Sequence, residues 1–216
     1  MQIEIQKDNV EEKLNIGRRI VNLMGPEGSG KTSIAKRLAV ESGKPYLTVG
    51  ELLRDLAKND PGLYGDEARS MFAEHRYFTD RQMLLDIYAN RFAREDLADG
   101  FILDGGLRSI EEVIGFQSTL DKAGRSMPVI NIFLRVPGWI SIQRLSTDPN
   151  ARNRDDDTVE GVLSRLSRYY DQLGKRASLV GKQPNWSLLH INGTRTLEEV
   201  FEEVQSALLE VKNLKS

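Results

Sequence analysis

Residues 25–32 read Gly-Pro-Glu-Gly-Ser-Gly-Lys-Thr, a Gly-x4-Gly-Lys-Thr pattern suited to holding phosphate. Gly25, Gly28 and Gly30 let the loop curl, so that successive backbone N–H groups turn inward toward an anion. Ser29 and Ser33 lie in the same cradle. Lys31 supplies a mobile cation for the outer phosphates, and the Thr32 hydroxyl can ligate Mg²⁺. The apolar run Ile20 to Met24 precedes this loop and reads as a buried strand. Ile34, Leu38 and Ala39 follow at helical spacing, so a helix aims its positive end at the same point. A glycine-rich turn that merely ends a strand is the bland alternative. The strand–loop–helix context favours the cradle.

Asp104 closes a second apolar run, Phe101 to Asp104, and is followed by two glycines. A carboxylate there can hold Mg²⁺ through water, opposite Thr32; a capping aspartate in a strand–helix turn is the other possibility. Five arginines stand out as well: Arg54, Arg108, Arg144, Arg154 and Arg165. The planar guanidinium grips phosphate oxygens at two points. Transfer of a phosphoryl group between two anions calls for several such groups, because charge repulsion is the main obstacle. Spacing alone does not separate this from a set of solvated surface arginines. His75 and His190 read as structural residues, with His190 in a buried strand pattern, and Trp139 and Trp186 as packing residues.

The elements that must position these groups alternate along the chain. After the first strand and helix, Pro45 to Val49 reads as a second strand and Gly50 to Asn59 as a helix ended by Asp60-Pro61-Gly62. Helical patterns follow at about 66–75 and 80–97, the second capped by Thr79-Asp80. Phe101 to Asp104, Val129 to Val136 and Leu188 to Ile191 read as further strands. Ser109 to Lys122, a stretch opened by Pro137, a helix from Asp157-x-x-Glu160 to about Leu179, and Leu197 to Lys212 read as helices. Residues 1–17 read as an extension packed on the core, with Gln2 to Gln6 strand-like and Val10 to Leu14 able to start a helix. Alternation of this kind predicts an α/β chain: three layers, a five-stranded parallel sheet between helices, and ligands at the carboxyl ends of the strands. The long helical stretch between strands two and three, and the polar loop from Thr147 to Asp157, exceed simple crossovers and read as lids.

Bulk composition narrows the classes. A chain of 216 residues can bury a real core, and its net charge of −2 gives no basic tail or block for nucleic acid. It has no cysteine, so disulfides and thiolate zinc sites are excluded. Neither a signal-peptide core nor an apolar run long enough for a bilayer is present, so a cytoplasmic protein is expected, without membrane or nucleic-acid partners.

Taken together, the motifs resemble the adenylate kinase family, or more broadly the nucleoside monophosphate kinases. Besides the phosphate loop, Thr48-Val-Gly-Glu-Leu-Leu-Arg54 resembles the family's second-strand motif, and Gly100-Phe-Ile-Leu-Asp-Gly-Gly-Leu-Arg108 its most distinctive block. Arg154-Asp-Asp-Asp157 with Arg165-Leu and Tyr169 resembles the return of a short lid, and Ile191-Asn-Gly-Thr194 the loop beside the donor adenine. The resemblance runs from Ile20 to about Val204. It implies a phosphate-loop kinase core over 1–216, a monophosphate-binding insertion at 50–79 and a short lid at 145–156.

The implied activity moves the γ-phosphoryl of ATP to a nucleoside monophosphate, AMP first, with ATP and Mg²⁺ bound and the chain a monomer. Lys31, Arg108, Arg144, Arg154 and Arg165 would be catalytic. ATP would be held by Gly25, Gly28, Ser29, Gly30, Lys31, Thr32, Ser33, Arg144 and Gly193. Val49, Gly50, Arg54, Phe78, Gly105, Arg108, Glu112, Arg154 and Arg165 would hold the acceptor. Thr32 and Asp104 would hold the metal, and Asp156 or Asp157 would orient the arginines. No general base is needed, since the acceptor is already an anionic phosphate.

Three positions depart from the family pattern. Gly106-Leu107 stands where an aromatic and a proline are usual, and Arg135 where a small, neutral or acidic residue is usual. Glu112 stands where adenylate kinases carry a base-reading glutamine. An ionised carboxylate only accepts, which suits guanine better than adenine; protonated by burial it could serve adenine. It could equally lie on the helix surface. GMP, CMP or UMP therefore remain alternative acceptors. A metabolite kinase would share the loop but need a base for an alcohol proton. A GTP-driven switch would need Asn-Lys-x-Asp, which is absent, and the Asp-x-x-Gly matches at Asp121 and Asp171 fall in helical patterns.

Overall fold

A strand that feeds a helix returns to the same sheet running the same way, so alternating apolar runs and amphipathic stretches build parallel pairs. The computed structural model describes residues 14–74, 80–147 and 159–214. Its strands are β1 Arg19–Met24, β2 Tyr46–Thr48, β3 Gly100–Asp104, β4 Val129–Arg135 and β5 Trp186–Asn192. They form one five-stranded sheet in the order β2-β3-β1-β4-β5, and each neighbouring pair is parallel. The helices are α1 Lys31–Ser42, α2 Val49–Asn59, α3 Leu63–Ala73, α4 Arg81–Phe92, α5 Ile110–Lys122, α6 Gly138–Thr147, α7 Val159–Gly181 and α8 Leu197–Leu214.

Strand periodicity sorts the core into two layers. Ile20, Met24, Phe101, Leu103, Val129 and Phe133 face one way, onto a cluster with Tyr88 and Phe92 of α4, Phe116 of α5 and Val180 of α7. Val21, Leu23, Ile102, Ile130, Ile132 and Leu134 face the other way, onto Ile34 and Leu38 of α1 and Phe201 and Val204 of α8. The result is the three-layer α/β/α arrangement expected from the sequence. Continuous apolar strands are the signature of a sheet covered on both faces. Phe116 sits edge-on to Tyr88, Phe92 and Trp186, with ring centroids 6.3, 5.7 and 5.7 Å away.

Several expectations shift. Val49 is not the end of a strand but the first residue of α2, because the Thr48 hydroxyl accepts the Glu51 N–H at 2.9 Å and caps the helix. The helix expected over 80–97 stops at Phe92, and a 3-10 turn, Glu95–Leu97, follows. His190 is exposed rather than buried, since β5 is an edge strand covered on only part of its length. Trp139 is 66% exposed on α6, so it is not a packing residue; Trp186 is, with its indole N–H donating to Gln117 Oε1 at 3.1 Å. Of the expected extension, residues 14–17 pack on the core: Ile16 is buried and the Leu14 N–H donates to Glu41 O. The strand and helix expected within residues 1–13 lie outside the described residues. No helix among the described residues is long and apolar enough to cross a membrane.

Phe116→Ala should lower unfolding free energy by about 3–5 kcal/mol, because a ring packed by three others leaves a cavity that cannot fully collapse. Urea denaturation followed by circular dichroism measures it.

Candidate functional site

The carboxyl end of β1 turns into the phosphate loop, and the loop ends at the amino end of α1. Gly30 caps that helix in the left-handed region, φ 85°, and adds no side-chain hydrogen bond; no acidic side chain lies in the first turn. The first-turn N–H groups, which have no intrahelical partner, are thus offered outward with the positive end of the helix dipole behind them. Gly28 is also left-handed, φ 72°, and packs so tightly under α6 that a Cβ would lie 2.8 Å from Ser141 O. At Gly25 a Cβ would lie 2.7 Å from Ser29 Oγ. Lys31 is folded back over its own loop, with Nζ donating to Pro26 O at 3.0 Å. Ser29 is buried, while Thr32 and Ser33 are exposed at the open end.

Asp104 ends β3 next to β1, in register with Leu23. One oxygen, Oδ2, accepts from Thr32 Oγ1 at 2.7 Å and from the Tyr46 hydroxyl at 3.0 Å. Burial first, and then the Asp104 carboxylate, push the Tyr46 hydroxyl far above its ordinary pKa, so it stays a donor. Thr32 and Asp104 therefore present two hard oxygen donors side by side. Among the described residues no group of three His, Cys, Asp or Glu side chains could hold a metal alone. An ion between Thr32 and Asp104 would draw its other ligands from water and phosphate, as Mg²⁺ characteristically does.

The arginines come from four different segments. Arg165 of α7 is nearly enclosed and donates from Nε to Glu27 Oε2 in the phosphate loop at 2.7 Å. Arg144 of α6 reaches Gly28 O with Nη1 and Thr194 O with Nη2, both at 3.3 Å, so it ties the phosphate loop to the turn after β5. In that turn Gly193 donates to Arg135 O, and a Cβ there would meet Val136 at 2.7 Å. Arg108, exposed just beyond β3, is held by its Nε to Gly105 O at 2.6 Å. Arg54 is exposed on α2, and its guanidinium folds back over Gly50. Arg165 and Arg144 contact the cradle directly; Arg108 sits at the end of the neighbouring strand; Arg54 stands farther out, after β2. Phe78, Arg154, Asp156 and Asp157, with the lid segment 148–156, lie outside the described residues.

Glu112 is not on the helix surface. It is 1% exposed, with Oε2 accepting from the Arg108 N–H at 3.3 Å and facing the Tyr88 hydroxyl at 3.5 Å. Burial pushes its carboxyl up; the Arg108 N–H and the charges of Arg108, Arg81 and Arg176 pull the other way. Three residues of this region were missed in the sequence. Glu27 occupies a variable place in the loop motif, Tyr46 looks like an ordinary strand aromatic, and Arg176 follows a run of surface-type residues. None carried a signal, because each acquires its partner only across the fold.

A family profile described as an AAA domain matches residues 24–162. An adenylate kinase of Xanthomonas campestris pv. campestris strain 8004 is 32% identical over 188 residues, covering 86% of this chain and 97% of the relative. Those of Xanthomonas euvesicatoria pv. vesicatoria strain 85-10 and Xylella fastidiosa strain M23 are 31% and 30% identical over the same shares.

The chain belongs to the adenylate kinase family. It is accordingly an ATP-binding phosphotransferase of the nucleoside monophosphate kinase type. The departures from the adenylate kinase pattern gain partial explanations. Gly106 lies so close to β3 that a Cβ would stand 2.5 Å from Leu103 Cδ2 and 3.1 Å from Asn22 Oδ1. Leu107 is buried with φ 56°. Arg135 is exposed at the end of β4, and nothing in the structure explains it. Asp121 lies in α5 and Asp171 in α7, so neither Asp-x-x-Gly match follows a strand as a GTP switch requires.

Gly28→Ala should cost about 1–2 kcal/mol for the left-handed backbone alone, and the added methyl must also displace Ser141. Urea titration should report the stability loss. Calorimetry with ATP should report weaker binding, because the N–H groups around residue 28 are no longer aligned.

Proposed function

We propose that this enzyme transfers the γ-phosphoryl of ATP to AMP, giving two ADP. The observation that carries the reading is convergence. A bare helix end, Lys31, Arg144 and Arg165 gather at one end of the sheet, with Arg108 on the adjacent strand end. Such a cluster matches a reaction in which two polyanions must meet. The likeness to adenylate kinases over 86% of the chain supports AMP as acceptor.

In this reading Gly25, Gly28, Ser29, Gly30, Thr32 and Ser33 cradle the ATP phosphates through backbone N–H groups, and Gly193 lies beside the donor base. Lys31 leaves Pro26 O to follow the transferred group. Arg165 exchanges Glu27 for phosphate oxygens, so the ion pair keeps the guanidinium aimed before substrate arrives. Arg54, Gly50, Val49 and Gly105 line the acceptor side, Arg108 takes its phosphate, and residues 50–79 and 145–156 close over the two nucleotides. Thr32 and Asp104 would hold Mg²⁺, which when bound neutralises phosphate charge. Catalysis is then positioning and charge stabilisation with water excluded.

A second reading, with GMP, CMP or UMP as acceptor, depends on Glu112 facing the base. Glu112 is enclosed, and one oxygen is already engaged by the chain's own N–H and Tyr88. That favours AMP, with Glu112 supporting the site from beneath. A coupled assay with ATP, Mg²⁺ and each monophosphate should give ADP with AMP as the preferred acceptor. Lys31→Met should lower kcat by about 10²–10³-fold, as loss of one charge-stabilising donor does. Absence of any nucleoside diphosphate would overturn the proposal, and an equal or greater rate with another monophosphate would replace AMP.

A further inference from the structure

Arg176 heads the largest side chains that are fully buried, at 1% exposure, and nothing in the phosphate site uses it. A guanidinium stays protonated even when burial opposes its charge, so it must be matched where it lies. Its Nη1 donates to Leu107 O at 3.1 Å and its Nη2 to Tyr169 O at 3.0 Å, and its carbon lies 4.6 Å from the Tyr169 ring centroid. From α5, Glu112 accepts the Arg108 N–H with Oε2 at 3.3 Å and is itself 1% exposed.

The Leu107 carbonyl and the Arg108 N–H are the two ends of one peptide group. A buried cation from α7 therefore grips one end, and a buried carboxyl from α5 grips the other. The grip falls where the backbone needs it. Leu107 has φ 56°, a conformation that costs a non-glycine residue about 1–2 kcal/mol. Gly105 and Gly106 before it contribute no stiffness of their own. The next residue, Arg108, starts its side chain from this same peptide and leans back on Gly105 O.

We propose that Arg176, with Glu112, is a positioning pair that fixes the Leu107–Arg108 peptide and thereby sets how the Arg108 guanidinium meets the acceptor phosphate. Neither residue touches substrate in this role. Glu112 also stands three residues after Ser109, whose hydroxyl accepts the Glu112 N–H at 3.2 Å and caps α5. In the usual capping box the carboxylate returns to the N–H of the cap residue. Here it reaches one residue further, to Arg108, which spends the interaction on the turn rather than on the helix alone. The proposal rests on Arg108 binding the acceptor monophosphate, and the test separates the two ideas.

Steady-state kinetics with AMP and ATP varied in turn supplies that test, on wild type, Arg108→Ala, Arg176→Met and the double variant, below the unfolding temperature of each. Arg176→Met should raise KM for AMP about tenfold, as a small misplacement of a binding group can, and leave KM for ATP unchanged. In the Arg108→Ala background the same substitution should add nothing, since its effect passes through Arg108. Arg176→Lys keeps a buried cation with a single donor nitrogen and should shift the AMP constant by a smaller factor, about threefold. That variant carries the test if the methionine protein does not fold. If Arg108→Ala leaves KM for AMP unchanged, the reading of Arg108 fails. If Arg108→Ala raises it but the Arg176 variants do not, or if the two effects multiply in full, the positioning pair is overturned. A drop in melting temperature with unaltered kinetic constants also overturns it, because that is what packing alone would give.

Discussion

A helix whose first turn carries no side-chain cap leaves its N–H groups open to an anion, and the site is arranged around that end. Gly30 reaches α1 through the left-handed region, without a capping side chain and without an acidic residue in the helix's own first turn. Its N–H groups and dipole present a positive field that suits a phosphate. The field points to the carboxyl end of the sheet because β1, at the centre, delivers the loop there. Side-chain cations can rearrange during a reaction more readily than this set of backbone dipoles, so in the proposed reaction the dipoles would fix where the phosphate chain of the donor lies.

Around it the mobile charges are held in readiness. Lys31 rests on Pro26 O, Arg165 on Glu27, and Arg144 on Gly28 O and Thr194 O. Each side chain makes at least one contact within the loop or directly to it, so in the proposed reaction the guanidinium and ammonium groups would already be oriented when a nucleotide arrives. Less of the binding energy then goes into ordering long side chains. Arg108, proposed for the acceptor side, is exposed, and its backbone is secured by groups from the buried layer below. In the proposed reaction, donor and acceptor phosphates would meet charges anchored in two different ways, one by the loop and one by buried side chains of α5 and α7.

Much of this was legible in the chain. The Gly-x4-Gly-Lys-Thr run and its flanking apolar patterns predicted β1, the loop and α1, because glycine placement and local periodicity are local properties. Asp104 could be put at a strand end for the same reason; its place opposite Thr32 was expected from the metal chemistry of a phosphate loop, not from periodicity, and the two do meet at 2.7 Å. Errors arose where neighbours decide. Val49 has strand character, yet the Thr48 cap draws it into α2. His190 has a core-like setting in sequence, yet β5 is an edge strand. Trp139 is a large aromatic, yet α6 turns it outward.

The sequence by itself determined the element order and the phosphate-loop motif, since these depend on residue type and on spacings of a few residues, while the kind of chemistry followed from the resemblance of its motifs to a family. Only the tertiary structure decided which charges are paired and which are presented. Glu27 and Arg165 lie 138 residues apart, and Arg176 and Leu107 are separated by 69. Contacts over such distances leave no periodic trace along the chain, because they are fixed by how α5, α6 and α7 pack on the sheet.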